Sequence, residues 1–84
     1  MEIQEYDVVR VVRLWTANRP HEGTAGVIRP PRIGDIGTVV HEFKPEDLTA
    51  PVTVENVDEN GMTIWLTDFV RDELELVSSG PSAS

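Results

Sequence analysis

The chain has 84 residues, no cysteine, 39% apolar residues and a formal charge of −8. A chain this short builds one core, buries about 60% of the surface its unfolded form exposes, and holds its native state by on the order of several kcal/mol. Without cysteine there are no disulfides, thiolate nucleophiles or thiolate metal sites, a composition that suits a reducing compartment.

The opening Met1-Glu2-Ile3-Gln4-Glu5-Tyr6-Asp7 carries acid where a secretory signal carries base. No apolar run approaches membrane-spanning length, so a cytoplasmic, non-spanning protein is expected. Val8 to Leu14 is short and rich in β-branched residues, which predicts a first strand; its two apolar phases compete and leave the inward face open. Trp15 to Asp35 holds three prolines and three glycines and no helical stripe, and reads as one long loop. Loops of that length in small domains are often functional. Ile36 to Phe43 predicts a second strand, entered through Gly34-Asp35 and ended before Lys44-Pro45, with a turn or one short helical turn over Pro45 to Thr49.

Val52 to Val57 and Met62 to Thr67 alternate on either side of Asp58-Glu59-Asn60-Gly61, which predicts a hairpin with positive φ at both Asn60 and Gly61. In its second strand Met62, Ile64 and Leu66 share one face, and Trp65 is expected with Thr63 and Thr67 on the less buried one. Asp68 to Glu73 fits a single 3₁₀ turn before a last strand, Leu74 to Val77. Residues 1–77 are therefore expected to form one small five-stranded all-β domain that rolls its sheet closed to hide the edges, followed by a disordered polar tail over 78–84.

Charge divides the chain. Up to Asp35 acids and arginines balance, whereas from Ile36 onward Lys44 and Arg71 face ten carboxylates, among them Glu55, Asp58 and Glu59. Such a field repels phosphate backbones and attracts cationic partners; it also simply keeps a small protein in solution, and both readings stand.

Asp7-Val8-Val9, Gly34-Asp35-Ile36-Gly37-Thr38-Val39-Val40, Val57-Asp58-Glu59-Asn60-Gly61-Met62-Thr63 and Leu74-Glu75, taken in order, resemble a family of short bacterial SH3-like barrels known only as a domain of unknown function. The resemblance spans Tyr6 to Val77 and implies a fold rather than a reaction: a five-stranded SH3-like barrel with a long first loop. The stretch Arg19 to Arg29 departs from shorter members, so a partner-specific feature is expected there. Gly34-x-x-Gly37-x-Val39 is also similar to the core of KOW modules, whose loops touch RNA or polymerase. Pro31-Arg32 before Gly37-Thr38-Val39, with Ile64-Trp65-Leu66 and Leu74-Glu75 following, is similar to the barrel in the β subunit of nitrile hydratases, which supports an enzyme without carrying its metal. The Ala-Leu-Tyr-Asp-Tyr opening of peptide-binding SH3 domains is absent, so a proline-rich ligand is not expected.

His21-Glu22 and His41-Glu42 each set an imidazole beside a carboxylate, but neither extends to His-Glu-x-x-His. Asp58-Glu59-Asn60 lacks the spacing of a calcium loop. No catalytic residue, cofactor or metal is expected. Arg29, Arg32 and Arg19, with Trp15 nearby, form either a patch for single-stranded nucleic acid or loop cations that pair with the protein's own acids, the latter being favoured. Trp65 serves either as an interface anchor or as a cover for the barrel end. The reading overall is a non-catalytic protein-binding module for a basic partner, of antitoxin or immunity type, with Glu55, Asp58, Glu59, Trp65, Trp15, Arg29 and Arg32 as candidate contacts. The alternatives are an accessory module of an enzyme and nucleic-acid binding through the arginine loop.

Overall fold

Four of the five strands begin on a β-branched residue, the side-chain type that loses least by lying on a pleated surface. In a computed structural model of the chain, which describes residues 3–16, 19, 21–23, 29–44, 46, 47 and 49–79, they are β1 (Val8–Val11), β2 (Ile36–Glu42), β3 (Val52–Val57), β4 (Thr63–Phe69) and β5 (Leu74–Ser78). A single 3₁₀ turn, Arg71–Glu73, precedes β5. All pairings are antiparallel in one sheet of order β4-β3-β2-β1-β5, so the last strand returns to lie beside the first. Among the described residues no helix is long and apolar enough to cross a membrane.

The core takes Val9 and Val11 from β1, Val39 from β2, Val52 and Val54 from β3, Trp65 and Phe69 from β4 and Leu74 from β5, with Ile3 beneath them. The expected face of β4 is therefore corrected: Trp65 is fully buried and Met62 is exposed. The cause is register. Trp65, Thr67 and Phe69 oppose Asn56, Val54 and Val52, which puts the odd positions of β4 on the same side as the two core valines of β3. Phe69, expected in the 3₁₀ turn, extends the strand and meets Trp65 edge-on at 5.6 Å between ring centroids.

The hairpin forms, but its turn differs from expectation. Only Gly61 takes positive φ, +80°, and Asn60 does not. Asp58 closes the turn instead: its Oδ1 accepts the N–H groups of Asn60 and Met62, each at 2.9 Å, and its carbonyl accepts Gly61 N at 3.0 Å. β1 stops at Val11, short of the expected Leu14, because Val12 N and Arg13 N both turn to the Glu73 carbonyl. β5 runs one residue into the expected tail, and 80–84 lie outside the described residues, as do Pro45 and Leu48 of the expected turn. Gly37, unlike Gly34 and Gly61, is required by packing: a Cβ there would stand 2.6 Å from Val54 Cγ1 and 2.7 Å from Glu55 O.

Candidate functional site

Trp15 opens the long loop and is the most exposed tryptophan position in the chain, 63% accessible against none for Trp65. Exposure here is not looseness. Its backbone N donates to Glu73 Oε2 at 2.8 Å and its indole Nε1 to Asp72 Oδ1 at 2.7 Å, so both ends of the residue are tied to the 3₁₀ turn. Arg13 adds a bond from Nη1 to the Asp72 carbonyl at 2.7 Å.

Glu73 is the hub beneath. Although almost fully buried, it accepts from Val70 N at 3.1 Å, from Trp15 N, and from both terminal nitrogens of Arg19. Arg19 in turn lies over the Phe69 ring at 4.6 Å and donates to the Asp68 carbonyl at 2.9 Å. A carboxylate in the interior needs this number of donors, since an uncompensated buried charge costs several kcal/mol. On the other side of the turn Arg71 donates to Glu42 Oε1 at 3.1 Å and to the Asp47 carbonyl. Asp47 itself is held below its usual carboxylate range, first by the Thr49 hydroxyl and then by Thr49 N.

Three clefts lie along this face. One of about 470 Å³ is bordered by His21, Glu22, Leu66 and Asp68; one of about 290 Å³ by Trp15, Pro51, Phe69 and Val70; one of about 430 Å³ by Trp15, Thr49, Val70 and Arg71. Glu22 bonds both backbone groups of Leu66, at 3.1 and 2.8 Å, so the loop covers the outer edge of β4 where a foreign strand would otherwise add.

The other predicted contacts fall elsewhere. Asp35 gathers Arg29, at 2.7 and 3.1 Å, together with Arg32 N at 3.0 Å and the Trp65 indole at 2.9 Å. Burial pushes the Asp35 carboxyl up, but the bonds from Arg29, Arg32 N and Trp65 outweigh it and hold the group below the usual carboxylate range; the same pair raises Arg29. Arg29 and Arg19 are thus committed to the protein's own acids, and the Arg32 side chain is exposed. Trp65, buried against Phe69 with its only polar atom satisfied, offers no surface to a partner. Asp58 and Glu59 lie at the hairpin end of β4, the end away from Trp15, where Asp58 is occupied by its turn, and Glu55, opposite Leu66 at mid-strand, accepts the Thr63 hydroxyl.

Among the described residues no group of three or more histidine or carboxylate side chains is placed to hold a metal ion. His41 packs edge-on against Phe43 at 4.8 Å, and His21 borders the first cleft. Asp68, Val70, Arg71 and Asp72 were not singled out from the sequence as contacts, because the link that makes them a site, Trp15 to the 3₁₀ turn, spans more than fifty residues. Neither family models, curated proteins nor solved structures give a match to the chain.

Proposed function

We propose that the chain is a non-catalytic module that binds a basic protein partner through the face built on Trp15. One observation carries this reading: a tryptophan 63% exposed yet fixed at both its nitrogens, with the Asp72 carboxylate on its indole edge and Asp68 lining the same cleft. Rigid aromatic rings in partly enclosed positions are the usual centres of binding energy, and an indole face beside acids favours a cation. Neutralisation of a basic toxin-like protein, the antitoxin or immunity role, is one use of such a face, and attachment to an enzyme as an accessory module is another. The SH3-like family assignment belongs to this reading, supported by the return of β5 beside β1. Nucleic-acid binding through the loop loses ground because Arg19 and Arg29 are already paired.

Capture from a lysate of the native host tests it. The wild type is expected to retain a basic protein that Trp15→Ala loses and Arg32→Ala keeps, since truncating a central aromatic contact costs about 2 kcal/mol or more. Equal capture by Trp15→Ala, with its fold intact by circular dichroism, would overturn the proposal.

A further inference from the structure

Resting on that reading, we infer that the three clefts form one continuous track, occupied by a single extended segment of the partner carrying two cationic side chains about 10–13 Å apart. Shared walls make the continuity. Arg19 and Asp68 line both the first and the second cleft, and Trp15 and Val70 line both the second and the third. The track follows β4 from Leu66 for three to four extended steps of about 3.3 Å each, to Phe69 and Val70, and ends at Arg71 in the 3₁₀ turn.

Charge says what fits. The cations on the walls are spoken for, Arg19 by Glu73 and Arg71 by Glu42, while the carboxylates of Glu22 at one end, Asp72 at the other and Asp68 between them form no ion pair among the described residues; Arg13 and Arg19 reach only the backbone carbonyls of Asp72 and Asp68, and Asp68 Oδ1 accepts the Thr53 hydroxyl. The middle is apolar, with Pro51, Phe69 and Val70. A cation–apolar–cation pattern complements that order of surfaces. A second observation selects a peptide over a polyamine. Arg71, which lines the third cleft with a side chain only 9% exposed, keeps a buried Nε–H with no acceptor among the described residues. An extended main chain supplies carbonyl acceptors; a polyamine supplies none. Because Nε is covered, reaching it requires a side-chain movement of the kind common at interfaces. Strand addition is not the mode, because Leu66 already spends both its backbone groups on Glu22.

Three fluorescent peptides test this against the full chain by anisotropy at low salt: RSVSR, with separated arginines; RRVSS, with the same charge and adjacent arginines; and RSVSS. Separated arginines are expected to bind about tenfold tighter than adjacent ones, the effect of one additional charge-assisted contact. Glu22→Gln should remove most of that advantage, and spermidine should compete poorly. Equal binding of RSVSR and RRVSS, or no binding by any peptide, overturns the track. If Trp15→Ala still abolishes capture of the basic protein in either case, the partner reading survives; if Trp15→Ala changes neither capture nor peptide binding, both fall.

Discussion

Replacing Asp35 with alanine should be among the most damaging changes outside the apolar core, because three separate groups depend on that one carboxylate. The Trp65 indole N–H, on a side chain with no exposed surface, would lose its acceptor at 2.9 Å and stay buried, a loss of about 1–3 kcal/mol. The Arg29 pair, whose side chains are 25% and 15% exposed, adds about 1 kcal/mol after allowance for solvent screening. A total of roughly 2–4 kcal/mol in a domain of this size lowers Tm by roughly 10–25 °C. Asparagine keeps an acceptor for Trp65 and should cost about 1 kcal/mol, the charged part alone. Urea melts followed by far-ultraviolet circular dichroism and by fluorescence measure both, with Trp15→Phe in the background so that Trp65 is the sole tryptophan of the original two. The pH dependence supplies a second test. Since its bonds hold the folded-state Asp35 below its unfolded value of about 3.9, the stabilisation is complete above about pH 5 and fades as pH falls through the folded-state value. The gap between wild type and Asp35→Asn should accordingly narrow below about pH 4. An Asp35→Ala protein within about 0.5 kcal/mol of wild type would refute the hub.

Gly37→Ala should cost about 1–3 kcal/mol, because the new Cβ would press on the Glu55 backbone. Gly61→Ala, in open space at φ +80°, should cost about 1 kcal/mol and Gly61→Asn less, so denaturant midpoints that rank Gly61→Ala below Gly37→Ala would contradict the packing account. Glu73→Ala should cost about 3–5 kcal/mol by leaving Arg19 buried and unpaired, and the double change Glu73→Leu with Arg19→Met should recover much of it. A double variant no more stable than the single one would show that the lost acceptor for Trp15 N and Val70 N, rather than the unpaired Arg19 charge, carries the cost. Association with a basic partner should slow as ionic strength rises beyond the point where screening shortens to about 8 Å. Asp72→Lys should reduce the on-rate more than Glu59→Lys, and stopped-flow measurement of the reverse order would move the site to the hairpin.

What could be read from the sequence and what could not divide along the range of the interactions. β-Branched runs, the Asn60-Gly61 turn and the 3₁₀ stretch are local, and each element appears within a few residues of its expected place. The difference at Trp65 lies in where β4 ends, at Phe69 rather than Thr67. With Phe69 included, the odd phase holds two aromatics and the even phase loses its claim to the core, so two more residues would have reversed the assignment. The sequence favours surface pairing of the loop arginines with the protein's own acids, but it does not show that Arg19 reaches the buried Glu73 or that Arg29 shares Asp35 with Trp65. No spacing rule predicts partners fifty residues apart. The Trp15 face is hidden from the sequence for that reason: each of its residues is unremarkable alone, and only the return of β5 beside β1 carries Asp72 and Glu73 to the loop.

The buried charges bear most directly on function. Two ion pairs flank the 3₁₀ turn, Arg19–Glu73 on one side and Arg71–Glu42 on the other. Buried pairs of this kind seldom stabilise a fold beyond what well-packed apolar residues would give, so in a small domain their value lies in the geometry they fix. Here they fix Trp15. Glu73 holds its backbone, Asp72 holds its indole edge, and the rotamer freedom that a partner would otherwise have to quench, about 0.5–1.5 kcal/mol for such a side chain, is already removed in the free protein. The same pairs silence two of the cations nearest the ring. Asp72 gives only Oδ1 to the indole, leaving Oδ2 for a guanidinium that can stack on the ring whose edge the carboxylate holds. On the proposed reading, exposed ring, fixed edge and the Asp72 carboxylate would act on the same ligand group, and the acidity that matters for binding would be that of Asp72 and Asp68 rather than the charge of the whole second half.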